Sequence, residues 1–449
     1  MSEKLDFGRV APVFFLTFVD LLGLTIILPL LHLYAAAYGA TPLEIGLVAA
    51  AFPLAQLIGV PMMGALSDRF GRKPLLLISQ ITTFISFIML GFANSLLMII
   101  LSRVVDGLFG ANIATAQAAL TDLTTEKTRA QGLGLIGAAF GLGFILGPLI
   151  SLITLSLTDN LAIPAFIAAV YSFISILLTL FSFKETLPPE KRGDGGTGIT
   201  PFVIVRMLRR PVVNLLLVLM FAQQVIFFGF ESLLGLFTLS RLGLLGQGNS
   251  ILFLVVGIIL VVVQVRFIGP WSQKYGEARL IIGSLALLSI GLILVALTPE
   301  QPHPFYVERI VANELRDQAP DSTEAIVGEI NVALPDESQR GFGGVAWLLV
   351  VVIPVSIGAG LIRPSINSLM TQHVAPREIG SVLGVSAAFV SAANATSPLI
   401  GGLLFQTYGS TLPFLLGGLL MGVLAVISAV VVKPVSGNVT DTRLKSDKA

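Results

Sequence analysis

Three carboxylates stand inside long apolar stretches of this chain: Asp20, Asp106 and Glu231. Taking a carboxyl group out of water favours its neutral form, so a buried acid can exchange a proton near neutral pH. Acids at bilayer depth mark proton carriers or contacts to cationic molecules. Arg103 lies three residues before Asp106, on the same helix face, and can offset the cost of burying both charges. With a cation beside it Asp106 is the poorer proton carrier. Asp20 has no basic residue in its own helix and is the better one. Gly107, Gly110 and Gln117 extend the Arg103 face at helical spacing. Asn112 falls about 180° away on a continuous helix and is expected to meet a different helix contact. Gln224 and Glu231 share a face with Phe227 and Phe228 close to it. A carboxylate beside aromatic rings suits an amphipathic or cationic organic molecule, so Gln56, Gln224, Phe228 and Glu231 are the candidate substrate contacts. Arg363, also within an apolar stretch, has no local partner.

The elements that position these groups are membrane helices. The chain of 449 residues is 55% hydrophobic and 12% charged, about half the charge of a soluble domain. Twelve stretches approach the ~20 apolar residues a crossing needs: 10–33, 43–66, 74–94, 97–120, 130–156, 160–183, 211–238, 249–268, 278–298, 345–370, 379–405 and 411–433. The first is too long for the apolar core of a signal peptide and carries Asp20. About 21 of the 27 Lys and Arg residues fall on the side of residue 1, which puts both termini in the cytoplasm by the positive-inside rule.

The chain divides into a six-helix bundle over 1–183, a cytoplasmic linker over 184–210, a second bundle over 211–433 and a tail over 434–449. The bundles repeat each other. Gly64 and Gly71 recur as Gly269 and Gly276, and GPLIS at Gly147–Ser151 recurs as SPLIG at Ser397–Gly401. The second bundle carries an extra polar, acidic insertion over 299–344, expected to be a solvated decoration on the extracytoplasmic side that a short linker can replace.

GALSDRFGRKP, residues 64–74, packs four charges into the turn between the second and third spans. Such a cluster needs water, and Asp68 is short enough to accept hydrogen bonds from a helix N-terminus. Gly64, Asp68, Arg69, Gly71, Arg72 and Lys73 resemble the loop signature of the major facilitator superfamily, G-x-x-x-D-R-x-G-R-K. Arg103 and Gly107 resemble the fourth-span motif of its proton-coupled members. Gly143, Gly147 and Pro148 are similar to the core of its antiporter motif, with Ser151 in place of the last glycine. Physically, the two glycines let a second helix come close and the proline can bend the span.

The resemblance extends over about residues 20–430, outside the insertion, to drug:proton antiporters of the tetracycline-efflux type. It implies an all-α polytopic membrane protein of twelve transmembrane helices in two pseudo-symmetric six-helix bundles. It also implies a loop that locks the halves together on the cytoplasmic side, and export of a small organic molecule by proton antiport through a rocker-switch mechanism. Protons, the substrate and the bilayer are then the partners. The plasma (inner) membrane is the location and a monomer the working unit. In the second copy of the loop Gln273 and Lys274 replace Asp68 and Arg69, so a carboxylate lock is not expected there. A metabolite uniporter or symporter and a transporter-like receptor remain as alternatives. The chain has no cysteine, three scattered histidines and no G-x-x-x-x-G-K-[ST] loop, which removes thiolate chemistry, a histidine metal site and ATP as a drive. No catalytic constellation, cofactor site or nucleic-acid-binding stretch is visible.

Overall fold

The structure, a computed structural model, describes residues 7–110, 112–125, 128–158, 160–192, 206–317, 331–374 and 378–432. The tail over 434–449 and the glycine-rich centre of the linker lie outside them. The described residues are all-helical, and twelve helices among them are long and apolar enough to cross a membrane. The first half contains α1 (Phe7–Ile27), α2 (Leu31–Ala37), α3 (Pro42–Phe70), α4 (Arg72–Gly91), α5 (Leu96–Phe109), α6 (Asn112–Leu123), α7 (Arg129–Leu157) and α8 (Ala162–Phe181). The second contains α9 (Pro211–Leu242), α10 (Gly246–Val262), α11 (Ile268–Tyr275), α12 (Glu277–Ala296), α13 (Glu308–Asp317), α14 (Gly343–Gln372), α15 (Ile379–Tyr408) and α16 (Thr411–Val431).

Local sequence explains the boundaries. Pro29 cannot donate to the helix ladder, and the first apolar stretch splits there into α1 and the short α2. Thr41 and Glu44 cap the start of α3 reciprocally, with Pro42 at its first position. Gly71 ends α3 with φ +106° and α4 begins at the next residue. Gly276 repeats this between α11 and α12 with φ +77°. Both glycines donate their N–H to a serine carbonyl four residues back, Ser67 and Ser272, so the repeat read from the sequence is also one of backbone geometry. A π-turn over Val263–Phe267 joins α10 to α11 within the eighth span.

Within the first half α1 packs on α7 and α8, and α4 on α5 and α8; in the second, α9 packs on α15, and α12 on α14 and α16. The halves meet chiefly through two pairs that the repeat interchanges, α3 with α15 and α7 with α10. The contacts concentrate at the end away from the chain termini. A Cβ added to Gly46 would overlap the Pro398 carbonyl, one on Gly402 would press on Pro42, and one on Gly257 would overlap the Phe144 carbonyl. Ser250 meets Ser151 at 3.1 Å, and Gln247 donates to the Leu155 carbonyl at 2.7 Å. At the termini end Gly64, Gly137, Gly269 and Gly276 have open space where a side chain would be, and α11 buries none of its residues. The halves are closed at one end and apart at the other.

The insertion corrects an expectation. Tyr306, Val311, Leu315 and Val332 are buried in one apolar cluster with residues of α2, and α13 packs on α2 of the opposite half. Asn331 donates to the Gly39 carbonyl at 2.7 Å. Acidic composition hid an amphipathic helix whose apolar side docks across the closed end.

Candidate functional site

The loop cluster is built inside the first half. Arg72 is buried and gathers three partners: Asp68 at 2.5 Å, Ser67 at 2.6 Å and Asp122 of α6 at 3.1 Å. The backbone N–H groups of Arg72 and Lys73, at the start of α4, donate to Glu185 at 2.9 and 3.1 Å. The anion at that helix N-terminus is therefore Glu185 of the linker, and Asp68 turns to Arg72 instead. Lys73 donates to the Leu180 carbonyl, and Arg69 lies over the Phe70 ring. Among the described residues every contact of this cluster is within the first half or the start of the linker, with the termini end open. In the second half Glu277 stands where the repeat places Arg72, and it accepts from Ser272 and Ser368, both at 2.9 Å. The charge is reversed while the serine is kept. Because Asp122 also holds Arg72, Asp68→Asn is expected to cut transport several-fold, and Asp68→Asn with Asp122→Asn to abolish it at unchanged membrane expression. Export measured beside quantified expression checks both, and normal export by the double variant contradicts the role.

The second cluster lies at mid-depth. Arg103 and Asp106 are buried, 3.8 Å apart at closest approach. Ser86 accepts from Arg103 at 3.0 Å, and the guanidinium sits over the Phe87 ring. Thr83 donates to Asp106 at 2.8 Å, and Asn112 reaches Thr83 at 3.5 Å. Asn112 also lies beside the Asp20 carboxyl, which has Asp106 as a further neighbour. Asp20, Asn112, Thr83, Asp106 and Arg103 therefore form one polar chain from α1 across α6, α4 and α5. Extrapolated on a continuous helix, Asn112 belonged on the far side. The helix stops at Phe109 and restarts at Asn112, which turns that amide into the cluster. The same break leaves Gln117 exposed and off the Arg103 face. One oxygen of Asp20 is enclosed with no hydrogen-bond partner among the described residues.

The glycine motif places α7 against α1. A Cβ on Gly143 would rest at 3.4 Å from the Leu21 side chain, an ordinary contact, whereas one on Gly147 would overlap Thr25. Gly143→Ala is expected to keep most transport, and Gly147→Ala to lose it through ~1–3 kcal/mol of overpacking. Thermal melting together with transport checks the pair, and equal behaviour of the two variants contradicts this reading of the motif. Ser151, where the motif has glycine, is buried against Ser250 of the other half.

The candidate substrate contacts do not form one cluster. Gln224 donates to Asn394 at 2.8 Å, joining α9 to α15. Glu231 and Phe228 are half-buried, and the Glu231 carboxylate has no bonded partner among the described residues. Gln56 is half-buried on α3, in the other half. Sequence reasoning missed His32. It is buried on α2, and Asn249 of α10 donates to its ring at 3.1 Å while accepting from Thr238. This contact crosses the closed end, and Gly235 leaves just the space the imidazole occupies.

The sequence pattern of the Major Facilitator Superfamily matches residues 13–309 and 339–447. The chain belongs to that superfamily. The gap between the two matched segments falls in the insertion. Among superfamily members, the class B tetracycline resistance protein of Escherichia coli is 27% identical over 406 residues, covering 89% of this chain and 88% of that protein. Multidrug resistance protein 2 of Bacillus subtilis is 25% identical over 408 residues, 90% of each. The crystal structure of the human organic anion transporter MFSD10 (TETRAN) superposes with a TM-score of 0.66 over 95% of this chain and all of that one, at 20% identity. The chain is thus an integral membrane protein with the superfamily's transporter fold.

Proposed function

We propose that this transporter exports a small organic molecule or drug by proton antiport, as a monomer in the plasma (inner) membrane with both termini in the cytoplasm. The observation that carries the reading is the polar chain ending at Asp20, an acid at mid-depth without a bonded cation, beside an Asp106 that has one. Separate acids in separate environments are what a carrier needs to hold one charge fixed and move another. Resistance proteins among the relatives favour export of toxic compounds over uptake of a metabolite. The seal at one end and the separation at the other fit a rocker-switch carrier open to the cytoplasm, the two halves tilting about the mid-depth site. Glu231, in the second half, is the contact for a cationic group of the substrate in this scheme. A growth-inhibition panel in a host lacking its own exporters tests it. Expression should raise tolerance to some compounds, and a proton uncoupler should remove the protection. Protection that survives the uncoupler would favour a uniporter.

A further inference from the structure

Two arginines lie well inside the spans, and the protein treats them differently. Arg103 has a carboxylate, a hydroxyl and an aromatic face around it. Arg363 has none of these: no hydrogen bond, ion pair or ring contact holds its guanidinium among the described residues. It is not at a helix end, being about 14 Å from the last residue of α14 at 1.5 Å per residue. Arg363 is nonetheless exposed, so it borders open space. Arg363 lies in the part of α14 nearer the termini end, where the halves are apart. The neighbouring polar group is already committed: Asn367, one turn further on, accepts from Ser386 of α15 at 3.0 Å. One turn before, Gly360 packs on Leu260 of α10 and Val263 of the π-turn, so Arg363 shares the α14 face that lies between α10 and α15, the two helices that meet the first half. A guanidinium at this depth is costly without an anion, and its planar fork matches carboxylate, sulfonate or phosphate.

We propose that Arg363 is the contact for an anionic group of the transported molecule, so the substrates are organic anions and zwitterions as well as, or in place of, simple lipophilic cations. The proposal rests on the carrier reading above and adds the substrate class. With Glu231 in the same half and unpaired among the described residues, a molecule carrying both charges has a contact for each. Arg363 then goes from water-filled cavity to ion pair each time substrate loads from the termini side.

The test uses the full chain in lipid nanodiscs and two xanthene dyes of similar shape, anionic carboxyfluorescein and cationic rhodamine 123, with binding read by fluorescence anisotropy. Arg363→Gln should lower the ratio of carboxyfluorescein to rhodamine 123 affinity by about tenfold or more, the loss expected for one charge-assisted pair. Arg363→Lys should keep much of that ratio, since the charge stays and the fork goes. Lipid headgroups offer the same chemistry, so the measurement is made in phosphatidylcholine alone and with phosphatidylglycerol added. A ratio shift found only with the anionic lipid assigns Arg363 to headgroups and overturns the proposal. So does an unchanged ratio in Arg363→Gln, or a wild type that does not bind carboxyfluorescein. A ratio shift in a protein that fails to accumulate substrate uphill would leave this assignment standing and remove antiport instead.

Discussion

Asp20→Asn is expected to abolish accumulation of substrate against its gradient while leaving downhill exchange running. The amide has the shape of the carboxyl group, so the packing of α1 on α7 and the neighbouring Asn112 are kept, and only the exchangeable proton is removed. Asp106→Asn acts differently. It strips the buried Arg103 of its carboxylate, and breaking a buried pair by removing one partner costs ~3–5 kcal/mol, so expression and folding should fall along with transport. Glu231→Gln should fold normally and change which compounds are moved, because no partner among the described residues depends on that carboxylate. Reconstituted protein under an imposed pH gradient separates the three outcomes. Full uphill accumulation by Asp20→Asn would remove that residue from the coupling step.

Loosening the closed end is expected to shift the protein toward the opposite conformation. The α2 helix is anchored to the first half through Tyr34 and Tyr38, whose hydroxyls donate to the Leu161 and Ala93 carbonyls. From the second half it receives Asn249 on His32, α13 on its surface, and Asn331 on Gly39. Replacing 302–340 by a short linker removes the cover over α2 and, with it, the burial supplied by Val311 and Leu315, each worth ~1.5–3 kcal/mol when buried. Even part of that, at 1.4 kcal/mol per factor of ten, shifts a two-state balance by one to two orders of magnitude. Gly46→Val should act in the same direction by wedging α3 from α15. The chain has no cysteine, so a spin-labelled pair such as Leu157→Cys with Thr407→Cys reports the closed end directly. Both changes should lengthen that distance distribution and slow transport. An unchanged distribution, with normal transport, would return the insertion to a solvated decoration.

Much of this was legible in the sequence, and the residues show why. Apolar run length and charge bias mark twelve spans because the bilayer imposes both. Gly71 and Gly276 reveal the repeat because each turn needs a positive φ, which a side chain disfavours. Arg103 and Asp106 were paired correctly because they belong to one unbroken helix. Extrapolation failed where the helix broke, at Gly110, and with it the placements of Asn112 and Gln117. It also failed for partners far apart in the chain. Glu185 caps α4 from 113 residues away and His32 meets Asn249 across 217, distances at which no local periodicity carries information. The insertion was misjudged on composition, since a few buried apolar residues decide its packing and many exposed acids decide its average.

Counting protons against substrate tests the central claim most directly. Wild-type protein in liposomes holding a trapped pH indicator is given a transported compound inside and no starting pH gradient. The account predicts that efflux of the compound drives protons the opposite way, acidifying the lumen, and that Asp20→Asn exchanges the compound with no pH change. Substrate efflux from the wild type with no proton movement would contradict antiport and leave a uniporter.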